Sequence, residues 1–443
     1  MVWVVIRVAS PPPSESIPLE PIAKYPQVLI IGAGLAGLCC ARRLAQCGVS
    51  FRILEASDAV GGRARTDVVD GFRLDRGFQV YLTAYPEGRR VLDLEALNFK
   101  PFTRGLLVRH GGRFYRLADP REAPIAALAS AIRPIGTLRD QARLLRLAMR
   151  LREGTLDDQA AKEERLTLDF LRWPNRFSEP MIDRLFRPLF GGICLERELS
   201  TSSRFFRFVM RVFSEGPAAV PALGMQAIPE QIASKLPAGS ITFHTPVAQL
   251  GHRECRLANG ETIRARAVVI ATEGPAAARL LGDDVPDPGS NGSTTLYYAT
   301  AKAPTAEAII MLNGDGTGPV NSVAVMSNVN PAYAPPGQSL ISASIVGIPN
   351  VDDLTLDLQA REQLQAWFGP DVPHWRLLKV YRIPHSLPNQ TAGKLEPWQR
   401  SVRIRPGLYV CGDHRDNGSI DGAMTSGFRA AQAAMHDLAA EQA

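Results

Sequence analysis

The segment QVLIIGAGLAGLCCARRLAQCGVSFRILEA, residues 27–56, constrains the fold more than any other part of the chain. Its first apolar run, Val28–Ile31, is typical of a buried parallel strand. Glycines at 32, 34 and 37 form a GxGxxG motif, and apolar residues then recur at helical spacing up to residue 48. A second strand, SFRILE, ends at Glu55. This order of strand, glycines, helix, strand and acid predicts a βαβ unit that binds a dinucleotide.

Each part of this motif has a physical role. Gly32 permits the tight turn, Gly34 lets a pyrophosphate approach the helix N-terminus, and Gly37 lets the helix pack closely on the strand. Glu55 lies 18 residues after Gly37, where a carboxylate accepts hydrogen bonds from ribose hydroxyls. A glycine-rich turn without a ligand is the alternative interpretation. The segment alone does not separate NAD from FAD.

The residues that follow Glu55 point to FAD. Glu55 followed by Gly61-Gly62-Arg63 resembles the FAD-binding signature of the amine oxidase and phytoene desaturase superfamily. The resemblance implies an FAD enzyme with one nucleotide-binding and one substrate domain. It places Arg63 near the FAD diphosphate or ribose and residues 75–80, DRGFQV, beside the flavin ring. A solvated surface arginine is the alternative for Arg63.

Two further segments resemble the same superfamily. GLYVCGDH, residues 407–414, and SIDGAMTSG, residues 419–427, resemble its C-terminal strand, turn and helix, which serve the flavin half of the cofactor. The segments TPV, ending at Val247, and AVVIAT, ending at Thr272, resemble its adenine contact and its return strand. The resemblance and the glycine motif together predict these FAD-binding residues: Gly32, Gly34, Ala36, Gly37, Glu55, Ala56, Gly62, Arg63, Gly77, Phe78, Gln79, Val80, Val247, Ala271, Thr272, Gly412, Asp413, Gly422, Ala423 and Met424.

The expected fold class is α/β, with a Rossmann-like FAD-binding domain and a discontinuous α+β substrate domain. Asn259-Gly260 lies between two strand-like runs and predicts a hairpin in the FAD-binding part. The predicted FAD-binding domain comprises residues 26–96, 220–290 and 400–443. The predicted substrate domain comprises residues 97–219 and 291–399.

Two departures from the superfamily bear on the reaction. When GSTTLYYATAK is aligned on its Tyr-Tyr pair, Ser293 occupies the position where amine oxidases often carry a lysine beside flavin N5. Ser419 occupies the position of a cage tyrosine, and Lys302 is interpreted as a solvated charge. Both departures favour a desaturase or dehydrogenase that takes hydride from an apolar, isoprenoid or lipid-like substrate. An amine or amino-acid oxidase with an altered site and a non-catalytic flavin-binding protein are the alternatives.

The catalytic base remains unassigned. His385 and His414 are candidates because histidine titrates near neutral pH, but a structural role is favoured for both. No cysteine occurs between residues 387 and 405, where some amine oxidases attach flavin, so the FAD is expected to be non-covalent. Oxygen and a quinone both remain open as electron acceptors. The six cysteines show no metal-binding spacing, so no metal site and a reducing, cytoplasmic location are expected.

The positive charge of the chain is concentrated in residues 101–152, which contain 11 arginines, no lysine and three acidic residues. A helix from about residue 137 to 152 would carry Arg139, Arg143, Arg146 and Arg150 as one stripe. Leu138, Ala142, Leu145 and Met149 flank this stripe, and Leu144, Leu147 and Leu151 lie on the far side. Such a helix fits either peripheral contact with an anionic membrane or a solvated surface whose leucines face the core. No nucleic-acid partner is expected, because no basic motif with interleaved aromatic residues is present.

Overall fold

The computed structural model describes residues 26–118, 134–394 and 396–441. Within them, the strands are β1 Val28–Ile31, β2 Phe51–Leu54, β3 Thr66–Val69, β4 Phe72–Asp75, β5 Tyr81–Leu82, β6 Lys100–Pro101, β7 Gly105–His110, β8 Arg113–Ala118, β9 Ala218–Val220, β10 Ile241–Thr242, β11 Val247–Gly251, β12 Glu254–Leu257, β13 Thr262–Arg264, β14 Ala267–Ile270, β15 Ser290–Thr300, β16 Met311–Asn313, β17 Ser322–Val325, β18 Ser339–Val346, β19 Arg376–Pro388, β20 Arg403–Arg405 and β21 Leu408–Val410. The α-helices are α1 Leu35–Gln46, α2 Pro86–Val91, α3 Leu138–Leu151, α4 Leu156–Ala160, α5 Thr167–Arg172, α6 Glu179–Met181, α7 Arg187–Cys194, α8 Ser203–Glu215, α9 Ala227–Ala233, α10 Gly274–Leu281, α11 Met326–Val329, α12 Asp353–Phe368 and α13 Ile420–Ala440.

A six-stranded sheet in the order β10-β2-β1-β14-β21-β20 forms the nucleotide-binding half. β1 pairs in parallel with both β2 and β14, and all four of its residues are buried, as its apolar run predicts. Strands from the three predicted segments of the FAD-binding domain therefore meet in one sheet. The N-terminal helix α1 packs against the C-terminal helix α13. This crossing requires Gly427, because a Cβ there would lie 2.1 Å from the carbonyl oxygen of Ala36.

A second, seven-stranded sheet has the order β19-β15-β18-β17-β16-β7-β8. Its strands come from the two predicted segments of the substrate domain, apart from Ser290, which begins β15. One face of this sheet packs against α12 through residues such as Leu296 and Ile341. The opposite face, which carries Tyr297 and Leu312, points toward the first sheet and the main core. The division into two domains at the predicted limits remains a prediction.

The predicted hairpin at Asn259-Gly260 is confirmed. β12 pairs with β13 in antiparallel register on either side of these two residues. Gly260 has a φ of +88°, a conformation that residues with a Cβ rarely adopt. β11 completes this small sheet on the other side of β12.

A buried carboxylate connects the two halves of the molecule. Asp75, at the end of β4, is 1% exposed. Its Oδ1 accepts hydrogen bonds from the Thr66 hydroxyl at 2.6 Å and from the Met225 N–H at 2.9 Å. Its Oδ2 accepts a hydrogen bond from the Tyr333 hydroxyl at 2.8 Å. Three segments that are distant in the sequence are thereby joined at one side chain.

Candidate cofactor and substrate site

A cavity of about 1130 Å³ lies between the two sheets and is lined by residues from all five predicted segments. Gly37, Gly422 and Met424 lie outside the lining, and Met424 is fully buried. The other predicted FAD-binding residues all line the cavity: Gly32, Gly34, Ala36, Glu55, Ala56, Gly62, Arg63, Gly77, Phe78, Gln79, Val80, Val247, Ala271, Thr272, Gly412, Asp413 and Ala423.

The glycine turn between β1 and α1 fits a diphosphate. Gly32 has a φ of +106° and turns the chain sharply. A Cβ built on Gly34 would meet no heavy atom within 4 Å, so this glycine leaves open space at the N-terminus of α1. No side chain in the described part of the protein caps α1, and its first N–H groups are available to an anion. Gly37 instead packs beneath the turn, since a Cβ there would lie 2.1 Å from the Gly32 carbonyl oxygen.

The carboxylate of Glu55 is held at the cavity wall by the backbone. Its Oε2 accepts a hydrogen bond from the Ala33 N–H at 2.6 Å. Its Oε1 accepts hydrogen bonds from the N–H and the hydroxyl of Ser57, at 2.9 and 2.7 Å. Each carboxylate oxygen has two lone pairs, so Oε2 keeps one for a ribose hydroxyl. This arrangement fits the ribose contact that the sequence motif predicts.

Arg63 connects the N-terminal and C-terminal motifs. Its Nη2 lies 2.8 Å from Asp413 Oδ1, and its Nη1 donates to the Ser386 carbonyl oxygen at 2.8 Å. The side chain is one-third exposed and faces the cavity, so it is not the solvated surface arginine of the alternative interpretation. Gln79 fixes the backbone of the same loop by donating to the Arg63 carbonyl oxygen at 2.8 Å. No pattern in the sequence predicts the ion pair between Arg63 and Asp413.

Neither candidate histidine lines the cavity. His414 is 3% exposed, and burial lowers its pKa to about 4, so the ring is neutral near pH 7. Neither ring nitrogen has a hydrogen-bond partner within the described residues. The ring lies against Gly412, where a Cβ would be 2.5 Å from His414 Cε1. His385 forms a 2.6 Å hydrogen bond with the Ser290 hydroxyl. Both placements are consistent with structural roles.

The two serines that replace superfamily residues both line the cavity. Ser293 Oγ lies 2.7 Å from Ser386 Oγ and close to Gly77. Ser419 is the N-cap of α13 and accepts a hydrogen bond from the Gly422 N–H at 3.0 Å. A tyrosine at this position could not form that cap. Capping of α13 therefore explains why this position carries a serine. Lys302 is exposed and lies outside the cavity lining.

The substrate half of the cavity has mainly apolar walls. Phe205, Val209 and Phe213 lie on one face of α8, while Phe206 and Phe208 pack in the core. Phenylalanines of one helix thus serve both the pocket and the core. Leu189 and Ile193 of α7, Leu312 of β16, and Ile310, which directly precedes β16, add to this wall. The acidic lining residues are Glu55, Glu273 and Asp413, all in the nucleotide-binding half.

Comparisons with known proteins agree with this architecture. A family model described as flavin containing amine oxidoreductase matches residues 35–435. Hydroxysqualene dehydroxylase of Rhodopseudomonas palustris is 25% identical over 443 residues, covering 91% of this chain and 97% of that protein. Carotenoid 3,4-desaturase of Haloarcula japonica is 44% identical over 55 residues, covering 12% and 11% of the two chains.

Two solved structures support the α/β fold. Reduced UDP-galactopyranose mutase superposes with a TM-score of 0.69 at 19% identity, covering 94% of this chain and 96% of that chain. Putrescine oxidase bound to putrescine superposes with a TM-score of 0.68 at 17% identity, covering 93% and 99%. The predicted fold class is thus confirmed.

Proposed function

Because the chain belongs to the flavin-containing amine oxidoreductase family and is an FAD-dependent oxidoreductase, we propose that its substrate is an apolar, isoprenoid-like molecule. The reaction is a dehydrogenation or desaturation, for which bound FAD would supply the hydride acceptor while the second substrate hydrogen would leave as a proton. The chain's own part is to hold the diphosphate at Gly34, to hold the ribose at Glu55, and to orient the substrate in a dry pocket.

The main support for this proposal is the set of side chains that line the substrate half of the cavity. Phe205, Val209, Phe213 and their neighbours form an apolar wall, and no acidic side chain from this half lines the cavity in the described chain. A cationic amine would be buried there without a carboxylate partner, which is costly. The names of hydroxysqualene dehydroxylase and carotenoid 3,4-desaturase support the same substrate class.

The proposal is tested by anaerobic reduction of the purified holoprotein. Isoprenoid compounds of the squalene and carotenoid type should bleach the visible absorbance of the flavin. Putrescine, benzylamine and free amino acids should not, because Ser293 and Ser419 occupy the lysine and cage positions. Rapid bleaching by an amine would contradict the proposal and favour the amine oxidase alternative. A flavin that no donor of either class bleaches would favour a non-catalytic flavoprotein.

A route for such a substrate is suggested by α3. Leu138, Leu145 and Met149 are 63%, 56% and 55% exposed, and Arg139 and Arg146 lie beside them. Leu147 and Leu151 face the core. The far stripe therefore packs in the core, while the stripe beside the arginines is exposed and is available to a membrane or to solvent. Trp173, 55% exposed beneath the guanidinium of Arg176, adds an aromatic side chain of the kind found at membrane interfaces.

The C-terminal end of α3 is connected to a helix that forms part of the cavity wall. Arg211 of α8 donates to the Leu151 carbonyl oxygen at 2.6 Å, and Arg152 donates to the Ser214 carbonyl oxygen at 3.1 Å. These contacts join the ends of α3 and α8, and α8 carries Phe213 into the cavity. None of the described helices has the length and apolar character needed to cross a bilayer. Because its exposed apolar residues lie beside Arg139 and Arg146, we propose that α3 makes peripheral contact with an anionic membrane.

Co-sedimentation with liposomes tests the membrane contact. We expect binding to anionic but not neutral liposomes, weakened by salt, because each arginine contributes about 1 kcal/mol near such a surface. Changing Arg139 and Arg146 to glutamine should lower bound protein at least fivefold. The matched control changes Arg256 and Arg264, exposed residues of the β12–β13 hairpin, and should bind as the wild type does. Equal loss in both double variants would contradict a role for this face.

A further inference from the structure

Three hydroxyl side chains form a row across the cavity face of the seven-stranded sheet. Thr295 of β15 is directly opposite Ser344 of β18, and Ser344 is directly opposite Ser322 of β17. Directly opposed residues of antiparallel strands project from the same face, with their Cβ atoms about 5 Å apart. All three residues line the cavity. We call these three residues the hydroxyl row.

Two members of the hydroxyl row lack a protein partner. Thr295 Oγ1 accepts a hydrogen bond from the Phe78 N–H at 3.2 Å. Neither the Ser322 nor the Ser344 hydroxyl has a hydrogen-bond partner among the described residues, although Ser322 is only 6% exposed. By contrast, Thr294, on the other face of β15, is satisfied by the Gly347 carbonyl oxygen at 2.9 Å. Ser344 is half-buried, and both hydroxyls are open to the cavity rather than sealed in the core. A ligand that fills this part of the cavity removes them from water, so a ligand with a polar group here is favoured over one without.

The surroundings of the hydroxyl row limit what this group can be. Leu312 lies directly opposite Ser322 on the neighbouring strand β16, and Ile310 continues the apolar lining. Among the described residues, no charged side chain from segments 97–219 and 291–399 lines the cavity. Arg76, which lines it from the nucleotide-binding half, is engaged through Nη2 with Asp67 at 2.9 Å. The described lining therefore offers no free charged partner from the substrate half to an ionised ligand group. A neutral group on an otherwise apolar molecule fits this site.

We propose that the hydroxyl row binds a hydroxyl group of the substrate, so that the substrate is an apolar alcohol rather than a pure hydrocarbon. This inference rests on the proposed function and names a narrower substrate class for the same site. A hydroxyl can accept a hydrogen bond from one serine while donating to the other, and each serine can act in either role. A hydrocarbon would leave both serines desolvated and unpaired, which weakens its binding.

The test compares two probes that share one isoprenoid skeleton, the alcohol farnesol and the hydrocarbon farnesene. Each is titrated anaerobically into the oxidised holoprotein, and binding is followed by the change in the visible absorbance of the flavin. We expect farnesol to bind at least tenfold more tightly. The Ser322→Ala, Ser344→Ala double variant should weaken farnesol binding about tenfold and should tighten farnesene binding, because the hydrocarbon no longer desolvates two hydroxyls.

Ser339→Ala is the matched control, because Ser339 lies in β18 but outside the cavity lining. It should leave both affinities unchanged, and FAD content and melting temperature should be alike in all variants. Equal affinity of the wild type for the two probes, or a farnesol preference that survives in the double variant, would overturn the inference and leave the proposed function standing. Failure of both probes to bind would contradict the apolar substrate itself, and the inference with it.

Discussion

Replacing Gly34 by valine is expected to abolish FAD binding while the protein remains folded. Among the described residues beyond its own chain neighbours, no heavy atom lies within 4 Å of a Cβ built on Gly34, so the larger side chain does not disturb the packing. It would instead fill the space at the N-terminus of α1 that the diphosphate must enter. The measurement is the molar ratio of FAD to protein, with FAD released by acid. Release of intact FAD from the wild type would also support non-covalent binding.

Gly37 provides the control for this prediction, because it belongs to the same motif but faces the protein. A Cβ there would lie 2.1 Å from the Gly32 carbonyl oxygen and 3.2 Å from the Ala271 Cβ. Gly37→Val should therefore reduce soluble yield and melting temperature whether or not FAD is present. Full FAD occupancy in a folded Gly34→Val variant would show that this turn is not the diphosphate site.

Much of the nucleotide-binding half could be predicted because its signals are local. The apolar run of β1, the glycine motif and the Asn259-Gly260 turn each specify a conformation within a few residues. The resemblance then related separate segments to one cofactor. Of the predicted FAD-binding residues, those outside the lining include Gly37 and Gly422, whose Cβ positions are blocked by neighbouring backbone.

The substrate half was less predictable because its contacts join distant segments. The hydroxyl row depends on the register of β15, β18 and β17, which no single segment encodes. The pairing of Arg63 with Asp413 spans most of the chain. On α3, the sequence gives two leucine stripes with similar periodicity. Only packing against α8 determines that Leu147 and Leu151 are buried while Leu145 is exposed.

Stability should depend on pH through Asp75, with a sign opposite to that of ordinary ion-paired carboxylates. Burial raises the pKa of the Asp75 carboxyl to about 6, whereas its pKa in the unfolded chain is about 3.9. Between these values the native state holds a proton that the unfolded chain has released. The contribution of Asp75 to the free energy of unfolding therefore falls as the pH rises from about 4 to 6, and is constant above that range.

The variant Asp75→Asn should remove this pH dependence while keeping the fold. The amide oxygen still accepts from the Thr66 hydroxyl and the Met225 N–H, and the amide nitrogen can donate to Tyr333. We expect the wild type to gain about 2 kcal/mol of unfolding free energy relative to this variant between pH 7 and pH 4.5. Melting temperatures of the two proteins across this range provide the measurement.

Asp67, on the neighbouring strand β3, is the matched control because its pKa is shifted in the opposite direction. Partial burial alone would raise the pKa of Asp67, but hydrogen bonds from Arg76 and Tyr381 lower it to about 2. Its stabilising contribution is therefore complete above about pH 4 and is lost only as the pH falls toward 2. Asp67→Asn should lower the melting temperature by the same amount at pH 4.5 and pH 7. A wild-type advantage over Asp75→Asn that does not grow toward acid pH would show that Asp75 is ionised in the native protein throughout this range, with the Thr66, Met225 and Tyr333 donors compensating its burial.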